Sequence, residues 1–174
     1  SWKPGVTSRI LNIFADAFVY FRDGLKFLLC RKSVAISADN AKKISKLFRR
    51  KVPYIYLGCD DFLSGFTPVI TSGDNGRSLK VLSVSRFVPY KGFHILVESF
   101  KSLETEFPEA QLFLVGGQGR GKYFDYLKSL IKDDPRITMI FNPSDEVLLG
   151  LYKSCDIYAS GTRWEGFGLP FLEA

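Results

Sequence analysis

The sequence is poor in the residues that most metal and redox sites need. One histidine, His94, and three cysteines, Cys30, Cys59 and Cys155, are spread over 174 residues. A lone histidine cannot build a His-based metal cluster, and three widely spaced cysteines give neither a CxxC metal site nor a paired disulfide framework. A reducing compartment is the simpler expectation. His94, on a helix just after Gly92, reads as a partly exposed structural residue rather than a base. Also missing is any run of the roughly 20 largely apolar residues that a membrane span needs. Residues 8–30 come nearest, but Asp16, Arg22, Asp23 and Lys26 interrupt them, which fits one or two amphipathic helices against a core or a membrane interface. The same segment has neither the unbroken apolar core nor the small-residue cleavage site of a signal peptide. No zinc finger, RNP-like aromatic motif or helix-turn-helix pattern is present, so nucleic acid is not an expected partner.

What remains is a globular composition, 46% hydrophobic and 24% charged, large enough for one domain or parts of two. The net charge of +6 is unevenly placed. Residues 1–52 hold twelve Lys and Arg against three Asp, whereas residues 53–174 hold twelve against fifteen acidic residues. The front end is therefore basic. An anionic membrane surface is the functional expectation for it, and a merely solvated face the plain alternative.

Ser33–Ser37 reads as a short buried strand, Ala38–Arg50 as a basic helix, and Val52–Leu57 as a second strand closed by Gly58. Residues 58–78, rich in Gly, Ser, Thr, Asp, Asn and Pro, read as a linker carrying the turn Gly73–Gly76. Beyond it the pattern predicts strands over 79–84, 111–115, 137–141 and 156–159. Helices alternate with them over 92–106, 122–132 and 145–153. Such alternation marks an α/β fold with a doubly wound parallel sheet, whose ligands bind beyond the carboxyl ends of the strands. Three segments follow: 1–58, the linker 59–78, and 79–174.

The residues able to do chemistry cluster at those strand ends. Arg86 and Lys91 follow the first strand of the second segment. A guanidinium fork and an ammonium there can hold a diphosphate without a metal, although both can equally be exposed turn residues. Gly116 and Gly117 end the next strand and let main chain pass close to a nucleotide. The run Gly116 to Lys122 also satisfies the spacing G-x-x-x-x-G-K, but Tyr123 stands where Ser or Thr must ligate magnesium, so a P-loop is the weaker reading. Ser144 or Asp145 is a helix cap by default. The last fifteen residues, Ser160–Ala174, read as a tight loop opening a helix. Within them Gly166, Gly168 and Pro170 lie between Glu165 and Glu173. A helix start of this kind offers backbone N–H groups to an anion, and an ordinary turn is the alternative.

The stretch from Glu165 to Glu173, with its Gly-Phe-Gly-Leu-Pro core, resembles the E-x7-E signature of retaining glycosyltransferases of GT-B fold, family 4 in particular. The resemblance covers residues 34–174 in pattern, with its specific motifs between Arg86 and Ala174. It implies two Rossmann-like domains: residues 1–58 would close the first, acceptor-side one, and 79–174 would open the donor-binding one. It further implies that Arg86 and Lys91 grip the donor diphosphate and that Glu165, the catalytic candidate, contacts the transferred sugar. The backbone of Gly166, Phe167, Gly168 and Leu169 would hold sugar hydroxyls or phosphate. Glu173 would bind the ribose, and the main chain at Gly116, Gly117, Phe141 and Asn142 would lie near the nucleotide. The implied activity moves a sugar from a nucleoside diphosphate sugar to a hydroxyl acceptor, with no cofactor and no metal, in the cytoplasm or at the cytoplasmic face of a membrane. A lipid-linked acceptor would suit the basic front end. Family enzymes extend well before residue 1 and after residue 174, so the chain is expected to be a piece of a longer polypeptide that by itself binds donor weakly and transfers nothing. A GT-B-type sugar-nucleotide epimerase and a non-catalytic transferase subunit share the same pattern.

Overall fold

The computed structural model describes residues 21–58, 78–117, 121–132 and 134–174. The expected linker, the Gly73–Gly76 turn, Cys59, Gly119 and the start of the amphipathic front segment lie outside them. The chain divides after Gly58 into two compact units.

In the first unit residues 21–29 are helical and α1 spans Ala38–Phe48. Ser37 starts α1 by accepting a hydrogen bond from the Asn40 amide at 3.2 Å, and Asp39 lies in the first turn, where a negative charge suits the helix dipole. The helix ends two residues short of the expected Arg50. Arg49 takes a left-handed conformation (φ 50°), and the Arg50 amide bonds back to the Ser45 carbonyl. The expected strands over 33–37 and 52–57 contract to a single parallel bridge, Ala35 with Tyr54. Each has only the other to pair with among the described residues. Val34, Ile36 and residues 53–57 stay exposed, so little apolar area stabilises a longer ladder. A small cluster, Ala35, Ala41 and Val52 with Phe27 and Ile44, holds the unit together.

The second unit is built on a four-stranded, all-parallel sheet. Its strands are β1 (Lys80–Val84), β2 (Gln111–Gly116), β3 (Ile137–Phe141) and β4 (Ile157–Tyr158), in the spatial order β3-β2-β1-β4. A 3-10 turn, Pro89–Lys91, precedes α2 (Phe93–Ser102); α3 (Lys122–Ile131), α4 (Asp145–Ser154) and α5 (Leu169–Glu173) follow. Chain order runs outward from β1 to β3, then jumps back to the far side of β1. With right-handed crossovers this places α2 and α3 on one face and α4 on the other.

Both faces of β1 and β2 are packed, as a fully covered parallel sheet requires. Leu82 and Val115 meet Tyr152 of α4, while Leu112, Leu114, Val97 and Leu127 are almost fully buried. At the upper rim Phe87 stacks on Phe93 at 4.7 Å and touches Phe124 and Phe141, forming an aromatic plug beneath the loops. Gly116 allows the closest main-chain approach there, since a Cβ would fall 1.7 Å from the Ser85 carbonyl oxygen. Helix α2 stops at Ser102 rather than Glu106, because the Leu103 amide already bonds three residues back, to Phe100, and the chain continues as tight turns. Ser144 caps α4 through the Val147 amide.

His94 departs from expectation. It is only 8% exposed, and Tyr123 of α3 is its partner: the Tyr123 hydroxyl lies 2.9 Å from Nδ1 and accepts from the His94 amide at 3.3 Å. Burial lowers the imidazole pKa and raises that of the Tyr123 hydroxyl to about 12. A depressed histidine pKa means that the unfolded chain binds the proton more readily. Stability contributed by neutral His94 is thus intact above about pH 6.5 and declines as pH falls below it. Melting temperatures measured between about pH 7 and about pH 5 should drop for the unaltered chain and change less for His94→Gln, because this is the chain's one histidine. Equal pH dependence in both would remove His94 as the titrating group.

Candidate donor-binding site

The reversal of strand order occurs between β1 and β4, which is the topological switch point where ligands of open α/β sheets lie. The loops leaving these two strands carry Arg86, Lys91 and Glu165. Lys91 Nζ donates to Glu165 Oε1 at 2.5 Å, with side-chain exposures of only 11% and 27%. Beside them the Arg86 guanidinium donates through Nη2 to the Tyr90 hydroxyl at 2.5 Å, and the Lys91 ammonium lies 5.4 Å from the Tyr90 ring centroid. The structure thus brings both cations and the first glutamate to one rim.

Backbone contacts fix the two loops against each other. The Arg163 amide donates to the Tyr90 carbonyl at 3.0 Å, the Ala159 amide to Leu82 and the Asp156 amide to Lys80. Asp156 returns a carboxylate oxygen to the Lys80 amide at 2.8 Å. Gly92 and Gly161 meet main chain to main chain: a Cβ on Gly161 would fall 2.4 Å from the Gly92 carbonyl oxygen, and one on Gly92 1.9 Å from that of Gly161.

The second glutamate has a different setting. Glu173, in α5, accepts from the Tyr152 hydroxyl of α4 at 2.8 Å, beside an open pocket of about 380 Å³ lined by Asp145, Glu146, Leu148, Leu149 and Tyr152. Burial, then the Glu173 bond and its charge, push the Tyr152 hydroxyl far above the usual phenol range. Tyr158 in β4 donates to the Val84 carbonyl at 3.1 Å. Burial raises it to about 12, with smaller contributions from the charges of both Glu165 and Glu173, so it lies within electrostatic reach of each. Helix α5 begins at Leu169 after buried Gly168, with Pro170 second rather than first. Gly166 and Phe167 form the half-buried loop before it.

Gly116 and Gly117 adjoin Asn142: its amide donates to the Gly116 carbonyl at 3.1 Å, and a Cβ on Gly117 would come within 2.8 Å of its side-chain oxygen. Asn142 adopts positive φ, 41°, and the Phe141 ring, 39% exposed, belongs to the aromatic plug. These four residues form the rim over β2 and β3. Tyr123, which replaces the magnesium-ligating hydroxyl of the P-loop reading, is buried and committed to His94. Sequence reasoning missed Tyr90, Tyr152, Tyr158 and Gly161. The available signal was an aromatic with a polar tip at an inward position, as with Tyr152 one turn after Leu148.

Comparison with known proteins identifies the family and the fold. The model of the family described as glycosyl transferases group 1 matches residues 71–174, and the chain belongs to that family. A serotype-specific mannosyltransferase, WbdA of Escherichia coli, is 30% identical over 149 residues, covering 79% of this chain and 18% of the relative. Mannosylfructose-phosphate synthase of Agrobacterium fabrum is 29% identical over 102 residues, 54% of this chain and 22% of the relative. Among solved structures, the pneumococcal O-GlcNAc transferase GtfA, in complex with UDP and GlcNAc, superposes with TM-score 0.58 at 18% identity, over 81% of this chain and 27% of that one. TarM of S. aureus, in a complex with Fondaparinux, alpha-GlcNAc-glycerol and UDP, gives 0.57 at 16%, over 82% and 27%. These likenesses show the fold, a GT-B-type Rossmann-like α/β sheet. The chain spans about a fifth to a quarter of the length of these relatives.

If the glycine contact holds the site together, Gly161→Ala should destabilise the second unit by about 1–3 kcal/mol through overpacking against the Gly92 carbonyl. Chemical denaturation would measure this, and an unchanged midpoint would mean that the two loops can separate freely.

Proposed function

We propose that this chain carries the donor-binding part of a retaining, metal-independent glycosyltransferase that moves a sugar from a nucleoside diphosphate sugar to a hydroxyl acceptor. The observation that carries the reading is the meeting of Arg86, Lys91 and Glu165 at the β1/β4 switch point. When the bond from sugar to diphosphate breaks, negative charge grows on the leaving phosphate. The Arg86 fork and the Lys91 ammonium are placed to stabilise it, in the role a metal ion plays elsewhere. Glu165 accepts hydroxyls of the transferred sugar once Lys91 turns toward phosphate. The spacing from Glu165 to Glu173 supports retention of configuration through the family resemblance. Glu173 keeps acceptor capacity beyond the Tyr152 bond, because an ionised carboxylate offers about four lone-pair sites, which suits the two hydroxyls of a ribose. The main chain of Gly116, Gly117, Phe141 and Asn142 borders the space for the base, and the Gly166–Leu169 loop borders the sugar.

UDP is present in the GtfA and TarM complexes and heads the candidate nucleotides. A thermal-shift series with UDP, GDP and ADP and their sugars tests the reading. The matching nucleotide should stabilise the chain by about 2.7 kcal/mol at a hundredfold excess over Kd, and Lys91→Met should remove the shift. Failure of every nucleotide at millimolar excess would count against donor binding.

The first unit supports a peripheral contact with an anionic membrane at its cytoplasmic face, and with it a lipid-linked acceptor. Exposed Phe21, Leu25, Leu28 and Leu47 line an apolar groove of about 560 Å³ in the unit that carries the basic excess. Among the described residues no helix is long and apolar enough to cross a membrane. Flotation with anionic vesicles should exceed flotation with neutral ones, and equal recovery would remove the membrane contact.

A further inference from the structure

The geometry points to Tyr90 as the residue that positions both cations of the diphosphate site, an inference resting on the donor-binding reading above. Tyr90 is 38% exposed and lies in the middle of the 3-10 turn Pro89–Lys91, so packing alone does not explain an aromatic ring there. Three different parts of the residue are engaged. Its hydroxyl accepts from Arg86 Nη2 at 2.5 Å, its ring faces the Lys91 ammonium at 5.4 Å, and its carbonyl accepts from the Arg163 amide at 3.0 Å. Arg86 is exposed, and among the described residues the Tyr90 hydroxyl is the contact that holds its guanidinium.

The physical consequence is preorganisation. A free arginine side chain loses about 2 kcal/mol of rotamer entropy when it is held in one place. Tyr90 removes part of that freedom before a ligand arrives. It uses one of the five guanidinium N–H groups and leaves the rest of the fork for phosphate oxygens. Its ring lies within the roughly 6 Å over which an ammonium is attracted to an aromatic face, which limits where Lys91 Nζ can go when it leaves Glu165. The turn itself is held by the Lys91 amide to Val88, the Gly92 amide to Pro89 and left-handed Gly92 (φ 71°), so the position of Tyr90 is set by backbone. One side chain therefore sets the distance between the two positive charges that a diphosphate must bridge.

The test is a double-mutant cycle read by calorimetric binding of whichever of UDP, GDP and ADP binds the unaltered chain most tightly. Tyr90→Phe keeps the ring over Lys91 and removes only the acceptor for Arg86. It should weaken binding about three- to tenfold. In an Arg86→Ala background the same change should have no further effect, because the group it positions is gone. The corresponding nucleoside, which lacks phosphate, should bind both chains alike, and melting temperatures should agree within about a degree, since an exposed hydroxyl contributes little to folding. A merely structural role would instead lower the melting temperature and weaken binding equally in both backgrounds, and that result overturns the inference. Unchanged binding in Tyr90→Phe overturns it too, while leaving the donor-binding reading intact. No nucleotide binding to the unaltered chain would overturn both.

Discussion

The second unit depends on holding a very short strand in place. β4 pairs with β1 over two residues only, yet it must deliver the acidic loop to the neighbouring rim. So short a ladder is weak, and the remaining constraint comes from contacts between the loops. The Lys91–Glu165 pair is one of these. Both charges are largely withdrawn from water, so losing either partner would leave the other buried and uncompensated, which costs far more than an exposed pair is worth. The Gly92–Gly161 contact and the Arg163–Tyr90 bond close the same seam at the backbone level. Fold and site are therefore maintained by one set of contacts, and a ligand entering the cleft must negotiate with them.

The two glutamates are not equivalent, although the sequence presents them as a spaced pair. Glu165 faces an ammonium and Glu173 a phenol. An anionic ligand can draw Lys91 away from Glu165, since phosphate offers the same charge-assisted bond, whereas it has no such hold on the neutral Tyr152 hydroxyl. On the proposed reading Glu165 therefore changes partner as the cleft fills, while Glu173 stays bonded to Tyr152 of α4. Tyr158, bonded to the Val84 carbonyl and edge-on to Phe171 of α5, ties β4 and the final helix to the end of β1.

Most of the second unit was legible in the sequence because the strands are short apolar runs covered on both sides and the helices between them carry one apolar face. The convergence of Arg86, Lys91 and Glu165 at one rim was legible for the same reason: topology, once read, dictates which strand ends meet. What escaped depended on tertiary partners. His94 becomes buried only because Tyr123 arrives from α3 to satisfy it. The strands expected around residues 35 and 54 shrink to one bridge because propensity without neighbouring strands does not make a sheet. Gly161 carries no local sign of its contact, since its partner lies in a loop 69 positions earlier in the chain, between β1 and α2. Tyr90 gave no sequence signal, because its three simultaneous contacts exist only in the folded loop.

Charge distribution sharpens the chemistry further. Residues 53–174 carry more acidic than basic side chains, so the net charge of this segment does not favour a nucleoside diphosphate. At physiological ionic strength exposed charges are screened beyond about 8 Å, so groups in the cleft itself matter most. At the rim itself Lys91 is paired with Glu165 while Arg86 is held by a neutral hydroxyl, so only part of the positive charge is offset locally. On the proposed reading, recognition of an anionic donor comes from geometry, from hydrogen-bond donors held at the right separation in a partly dry setting, rather than from bulk attraction. In such a site a small displacement of one cation matters more than an added charge elsewhere on the surface, because partly buried charges interact strongly only over short, fixed distances.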